Sequence, residues 1–256
     1  MFTFDEAQLT AWLSPMVWPF LRVLALFISA PVLSMRSVPV RVKVALAFFI
    51  TIAAQASLPP MPVIALDSAQ AFEAVIQQLV IGLALGFSAR IVMAGIEFAG
   101  EMIGLQMGLN FAAFFDPISA SQSTAVSRFF GTSAAWLFVV MNGHLLLTAA
   151  VIQSFHAFPV ATPEAAPLAF LSALQPQLWG AEVFRLGLWI ALPIITMLLF
   201  MNLVLGLISR VASQINIFAI GFPITLGVGL VGITLTLPFM EQPFTMALER
   251  MLAQFQ

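Results

Sequence analysis

About six long apolar runs limit what this chain can fold into more than any other feature. The longer ones approach the ~20 residues that a helix needs to cross ~30 Å of hydrocarbon. Only 8% of the residues are charged and 61% are hydrophobic, whereas soluble domains carry about 25% charged residues. We therefore predict an all-α integral membrane protein. The predicted helical segments are about Trp12 to Leu33, Val44 to Leu58, Phe72 towards Gly100, Phe129 to Ile152, Val183 to Ile208 and Ile220 to Phe239.

The charge and residue content excludes several classes of function. A net charge of -2, with only nine lysines and arginines spread along the chain, argues against nucleic acid as a partner. No cysteine is present and there are only two histidines, which argues against disulfides, thiolate catalysis and a metal site. The single lysine, Lys43, follows no glycine loop of the kind that binds nucleotide phosphates. We predict neither enzymatic activity nor a cofactor.

The first apolar run is flanked by charges of opposite sign. Asp5 and Glu6 precede it where a secretory signal would carry positive charge, so we expect this run to stay attached to the protein. Arg36, Arg41 and Lys43 follow it and form the densest positive cluster in the chain. By the positive-inside rule this turn is cytoplasmic and the N-terminus lies outside.

Ionisable residues inside the apolar runs need partners. An arginine at membrane depth costs roughly 2.5 to 3.5 kcal/mol on insertion scales, so Arg22 should face protein or water. Glu97 and Glu101 are one turn apart and share a helix face with Arg90. Two carboxylates this close repel, and either one takes up a proton or an arginine such as Arg90 or Arg128 neutralises them. We favour the arginine.

The stretch from Gly100 to Pro117 combines a helix with an aromatic segment. Gly100, Gly104 and Gly108 recur every four residues and form a small-residue strip that another backbone could approach closely, and Gly82 and Gly86 have the same spacing. The helical pattern then fails, because a residue before proline is pushed out of the helical region. The residues that follow the end of the helical pattern are Asn110, Phe111, Phe114, Phe115, Asp116 and Pro117. We predict a helix that leads into a bulky aromatic loop.

Four segments together resemble the FliR family of flagellar biosynthetic proteins, part of the type III export gate. They are APVLSMRSVPVRVK, GEMIGLQMGLNFAAFFDP, NGH before a proline-broken loop, and SRVASQINIFAIGFP. The resemblance implies a subunit of a helical assembly with FliP and FliQ, next to a FlhB-like membrane subunit, that exports unfolded flagellar proteins. It also implies bent helical hairpins in one membrane domain. About residues 1–175 would be FliP-like and about 176–256 a FliQ-like hairpin.

The resemblance further implies that the loop at about 106–122 plugs the closed channel. Bulky, flexible apolar side chains suit this role because they fill a constriction and exclude water. The predicted plug residues are Gly104, Gln106, Met107, Gly108, Asn110, Phe111, Phe114, Phe115, Asp116 and Pro117. Candidates for ion pairs or subunit contacts are Arg22, Arg90, Glu97, Glu101, Arg128, Arg210, Gln214 and Asn216.

Two other functions remain open at this point. A secondary transporter or proton channel would use Glu97, Glu101 and His144 and should show inverted repeats, of which the sequence gives no convincing example. An assembly scaffold would contact no pore, and its aromatic residues would only pack against a neighbouring helix.

Overall fold

Eight helices make up the part of the chain that the computed structural model describes, namely residues 6–65, 67–109, 123–160, 175–212, 214 and 217–255, with backbone only for 6–10, 217 and 218. They are α1 (Glu6–Ser29), α2 (Val40–Ala54), α3 (Ala69–Gln106), α4 (Ala125–Val140), α5 (Gly143–Ala157), α6 (Trp179–Val211), α7 (Ile217–Thr236) and α8 (Glu241–Leu252). Short 3-10 turns at Pro176–Leu178, Leu237–Met240 and Ala253–Phe255 extend three of them. No strand occurs among these residues, which confirms the all-α prediction.

The number of helices able to cross a membrane is smaller than the number of predicted segments. Within the described ranges, four stretches are long and apolar enough: Ala11–Ser29, Ala69–Gln106, Pro176–Val211 and Ala219–Phe255. A fifth is added if α4 and α5 count as one broken span. The second predicted run corresponds to α2, whose 15 residues reach only about 22 Å at ~1.5 Å per residue.

The described helices differ from the predicted runs at the end of α1, within the fourth run and after the sixth run. The first helix ends at Ser29 rather than near Leu33, since Pro31 follows and Val32 adopts a left-handed φ of 63°. The fourth run breaks at Asn142, whose φ of 55° is also left-handed, so that α5 starts with Gly143. The helix α8 follows the sixth run and was not predicted from the sequence.

The described chain divides into two compact units, each built from separated segments. One unit comprises Met1–Arg90, Phe138–Trp179 and Leu248–Gln256, and the other Ile91–Leu137 and Gly180–Ala247. The core of the first unit surrounds Trp18, with Ile64, Ala71, Ala74, Phe155 and Val160 packed around it. The Trp18 indole Nε1–H donates to Ser14 Oγ (3.1 Å) and the Pro62 carbonyl (3.3 Å), which fastens the proline-rich linker to α1.

A buried arginine joins three helices of this first unit. Arg22 is 0% exposed, and its Nε donates to Gln78 Oε1 at 2.7 Å. Its terminal nitrogens donate to Ser154 Oγ (3.0 Å) and to the Phe158 carbonyl (2.8 Å) just after α5. The guanidinium carbon also lies 3.7 Å from the centre of the Phe155 ring. Arg22 therefore faces protein rather than lipid, and these three partners are neutral groups of the same chain, not a carboxylate.

The closest approach between α1 and α3 occurs at two glycines. A Cβ added at Gly82 would collide with the Arg22 carbonyl oxygen, and one at Gly86 would lie 2.6 Å from the Ala30 nitrogen and 2.8 Å from the Leu26 oxygen. These neighbours are backbone atoms that cannot move aside on their own. The predicted close packing at the Gly82 and Gly86 pair is therefore confirmed.

Candidate functional site

The long helix α3 ends in a glycine-terminated cap. Gly108 has a φ of 81°, a left-handed conformation that glycine adopts without strain. Its N–H donates to the Leu105 carbonyl at 3.0 Å, and the Leu109 N–H donates to the Gly104 carbonyl at 3.1 Å. This pair of bonds is the Schellman arrangement, which satisfies the last carbonyls of a helix and turns the chain away from the axis. Gly108 thus fixes the point where the predicted plug segment leaves α3.

Met107, the residue before this glycine, is anchored rather than exposed. It is 1% exposed, and its side chain lies over Gly229 of α7. A Cβ at Gly229 would be 2.6 Å from both Met107 Cγ and Sδ, so the missing side chain provides the space that the methionine fills. Met107 therefore packs within this unit in the described conformation.

A cavity of about 700 Å³ opens beside the end of α3, within the size range of ligand pockets, ~300–1,000 Å³. Its lining is mixed, with apolar Met107, Leu205 and Phe222, and polar Gln106, Asn202, Ser209 and Thr225. The cavity is thus large enough for bulky side chains and can also offer hydrogen bonds.

The start of α4 lies beside the end of α3 and is capped by a threonine. Thr124 precedes α4, and its Oγ1 accepts the Ser127 N–H at 3.1 Å, as an N-cap residue does. The Thr124 N–H and Oγ1–H both donate to Glu101 Oε2, each at 3.1 Å. A Cβ at Gly104 would lie 2.8 Å from Thr124 Oγ1. The two described ends that flank residues 110–122 therefore lie side by side.

Two glycines allow α3 and α4 to approach each other closely, one or more helical turns away from the contact between Gly104 and Thr124. A Cβ at Gly100 would lie 2.7 Å from Ser127 Cα and 3.0 Å from the Val126 oxygen, a backbone-to-backbone approach. Gly131 leaves room in the same way for the Glu97 side chain. Ser127 Oγ donates to the Glu97 carbonyl oxygen at 2.9 Å and ties the two helices. The predicted glycine strip thus divides in function, because Gly100 and Gly104 pack against α4 whereas Gly108 ends α3.

Glu97 and Glu101 do not form the ion pairs with arginine that the sequence analysis favoured. Within the described ranges, an ion pair joins Arg185 and Glu182 at 3.5 Å, and none joins Arg90 or Arg128 to Glu97 or Glu101. Glu101 instead binds the N-terminus of α4, where the helix dipole favours negative charge.

The remaining predicted residues lie in several environments. Arg90, Glu97, Arg128, Arg210 and Gln214 are exposed, and Gln106 is half-buried at the cavity. His144 is also exposed, near the start of α5. Seven predicted residues lie outside the described part of the chain: Asn110, Phe111, Phe114, Phe115, Asp116, Pro117 and Asn216.

Sequence reasoning missed two residues that shape this site. The sequence analysis gave Thr124 no role, although a threonine shortly before an apolar run is a usual signal of a helix start. Gly229, in the sixth apolar run, was given no role either. Its contact with Met107, more than a hundred positions earlier in the chain, leaves no local signal.

Comparison with known proteins assigns the chain to a family. Residues 13–251 match the model of the family described as bacterial export proteins, family 1. The flagellar biosynthetic protein FliR of Escherichia coli K12 is 45% identical over 230 residues, which cover 90% of this chain and 87% of the relative. FliR of Pectobacterium carotovorum is 41% identical over 244 residues, 95% and 92% of the two chains. FliR of Bacillus subtilis is 27% identical over 214 residues, covering 83% and 82%.

These matches extend over nearly the whole sequence, so they apply to both compact units. The export-family match agrees with helices that are long and apolar enough to cross a membrane several times. The chain therefore belongs to family 1 of the bacterial export proteins and is a multi-pass inner-membrane component of the flagellar type III export apparatus.

Proposed function

We propose that this chain is a non-enzymatic channel subunit of the flagellar export gate. It assembles with FliP-like and FliQ-like subunits, next to a FlhB-like membrane subunit. In the resting state, the segment at about 106–122 closes the path through which unfolded flagellar proteins pass. Phe111, Phe114 and Phe115 supply the bulk of this plug.

The observation that carries the proposal is that the described chain before residues 110–122 and the described chain after them lie next to each other. These two ends are fixed at Gly108 by the helix cap and at Thr124 by the bond to Glu101. Both ends are held by hydrogen bonds, and the cavity of about 700 Å³ lies beside the end of α3. A plug needs this combination, since it must leave the path and return to the same position.

The exposed apolar surface of α6 supports the proposal that the chain assembles with other subunits. In the most apolar window of α6 only 22% of the residues are buried, against 50% in α3. Leu199, Phe200, Leu203 and Leu207 are among its large exposed side chains. Lipid or other helical subunits must cover such a face. We propose that α6, α7 and α8 form the FliQ-like part of the chain, and the helices before them the FliP-like part.

The hydrogen bonds around Glu101 favour the gate over a proton channel. Its Oε2 accepts two bonds from Thr124 at the start of α4, which is a structural task. A proton relay needs a carboxylate that can change protonation state without breaking the fold. Protonation of Glu101 would instead weaken the cap of α4.

Copurification discriminates between these functions. The full chain, produced with an affinity tag in its host membrane, is expected to retain small helical membrane proteins through size-exclusion chromatography. The same material should show no proton flux when reconstituted alone into liposomes. A monodisperse homomer that transports protons or solutes by itself would contradict the proposal and support the transporter.

A further inference from the structure

We propose that Met107 is a positioning residue for the plug. Its side chain, seated over Gly229 of α7, holds the segment at about 106–122 in the closed position, and its release accompanies opening. This inference rests on the proposed function, because it takes that segment to be the plug. Three observations support it: the closeness of the contact, its place next to Gly108, and the space beside it.

The contact between Met107 and Gly229 involves the whole outer part of the methionine side chain. A Cβ added at Gly229 would lie 2.6 Å from Met107 Cγ, 2.6 Å from Sδ and 2.7 Å from Cε. Three consecutive atoms therefore occupy the place where a side chain at position 229 would begin, and Met107 is 1% exposed. Any residue other than glycine at position 229 would displace the methionine.

The contact lies at the point where the plug segment leaves α3. The Met107 N–H donates to the Ile103 carbonyl at 2.9 Å, which is still the regular helical bond. The next residue is Gly108, with its left-handed φ of 81°. A glycine alone sets few limits on the direction of the chain that follows, because it has no Cβ. The seated methionine therefore fixes the start of the segment relative to α7.

This contact is also one that can break and form again. It joins a thioether side chain to a glycine, so no ion pair has to be separated. Methionine is unbranched and has three rotatable bonds, and it can therefore change its conformation without a change in the backbone. The cavity of about 700 Å³ that Met107 borders provides space for the displaced side chain. These properties suit an anchor that is released when the gate opens.

A second methionine over a glycine of α7 provides a matched control. A Cβ at Gly232, three positions after Gly229, would lie 2.5 Å from Met197 Cε. Alanine at either position therefore displaces a methionine from the same helix. Met197 lies in the interior of α6, which does not lead into the plug segment. Comparison of the two variants separates the release of Met107 from a general loosening around α7.

The resting conductance of the purified gate assembly in planar bilayers, without export substrate, tests the proposal. Gly229→Ala should raise this conductance about tenfold, because overpacking a close contact typically shifts an equilibrium by this order. Gly232→Ala should leave the conductance at the parental value. Equal conductance of the two variants, whether low or high, would overturn the proposal.

A double-mutant cycle gives a second test that does not depend on the assembly of Gly229→Ala. Met107→Ala removes the anchor without crowding α7 and should raise the resting conductance by a similar factor. Adding Gly229→Ala to it should have no further effect, because both substitutions break the same contact. Parental conductance of Met107→Ala, or additive effects in the double variant, would contradict the proposal.

Oxidation by hydrogen peroxide measures the contact itself, independently of the plug. In the full chain purified in detergent, Met107 should form its sulfoxide more slowly than Met246, which is 54% exposed, as followed by peptide mass spectrometry. Gly229→Ala should abolish this protection and Gly232→Ala should preserve it. Fast oxidation of Met107 in the parent, or continued protection in Gly229→Ala, would overturn the inference without affecting the proposed plug. A failure of the plug would appear instead in the conductance of the phenylalanine variants, with the protection of Met107 unchanged.

Discussion

Replacing both Phe111 and Phe114 by alanine is expected to make the resting membrane permeable to ions. A path wide enough for an unfolded chain conducts ions unless apolar side chains fill it and exclude water. Two phenylalanine truncations remove most of this filling, while the anchors at Gly108 and Thr124 stay in place. Planar-bilayer conductance of the purified assembly, recorded without export substrate, measures the effect directly.

The matched control for this variant is Phe72→Ala. Phe72 is 68% exposed in the first turn of α3, so the same chemical change is made on a surface outside the plug. Its conductance should equal that of the parent assembly. A double variant that assembles normally and conducts no more than this control would remove the plug from the account.

Gly86→Ala is expected to lower the free energy of unfolding by about 3 kcal/mol, the upper end for overpacking a tight core. The added methyl group would lie 2.6 Å from the Ala30 nitrogen and 2.8 Å from the Leu26 oxygen. These backbone atoms can move only if α1 and α3 separate. Thermal unfolding of the purified full chain in detergent, followed by tryptophan fluorescence, measures the loss.

Gly227→Ala provides the control for this second variant. Gly227 also lies inside a helix, but nothing is within 4 Å of an added Cβ. Alanine there should stabilise the helix by roughly 0.5–1 kcal/mol, because it loses less backbone freedom on folding than glycine. Equal stability of the two variants would show that α1 and α3 do not approach each other as closely as described.

The fold could be predicted from the sequence where the signal is local. Apolar runs located the helices, and the spacing of Gly82 and Gly86 indicated the tight contact with another helix. The break at Asn142 escaped prediction because one left-handed residue between apolar neighbours scarcely changes the hydropathy. The C-terminal end of α1 was predicted too late for a similar reason, since Val32 and Leu33 are apolar although the helix has ended.

The partners of the charged residues could not be predicted, because they are distant in sequence or belong to the backbone. Arg22 binds Gln78 and Ser154, which lie 56 and 132 positions away. Glu101 was expected to need an arginine, yet it binds the backbone N–H and the hydroxyl of Thr124. Charge complementarity identifies oppositely charged side chains but not the N-terminus of a neighbouring helix.

Site-specific cross-linking of an arrested export substrate tests most directly whether the end of α3 borders the export path. A photoreactive amino acid replaces Gln106, which lines the cavity, and in a parallel variant Trp136, which is 69% exposed on α4. With a substrate stalled in the assembled gate, we expect a cross-link from position 106 and none from position 136. A stalled substrate that cross-links to neither position, or equally to both, would contradict the assignment of this site to the channel.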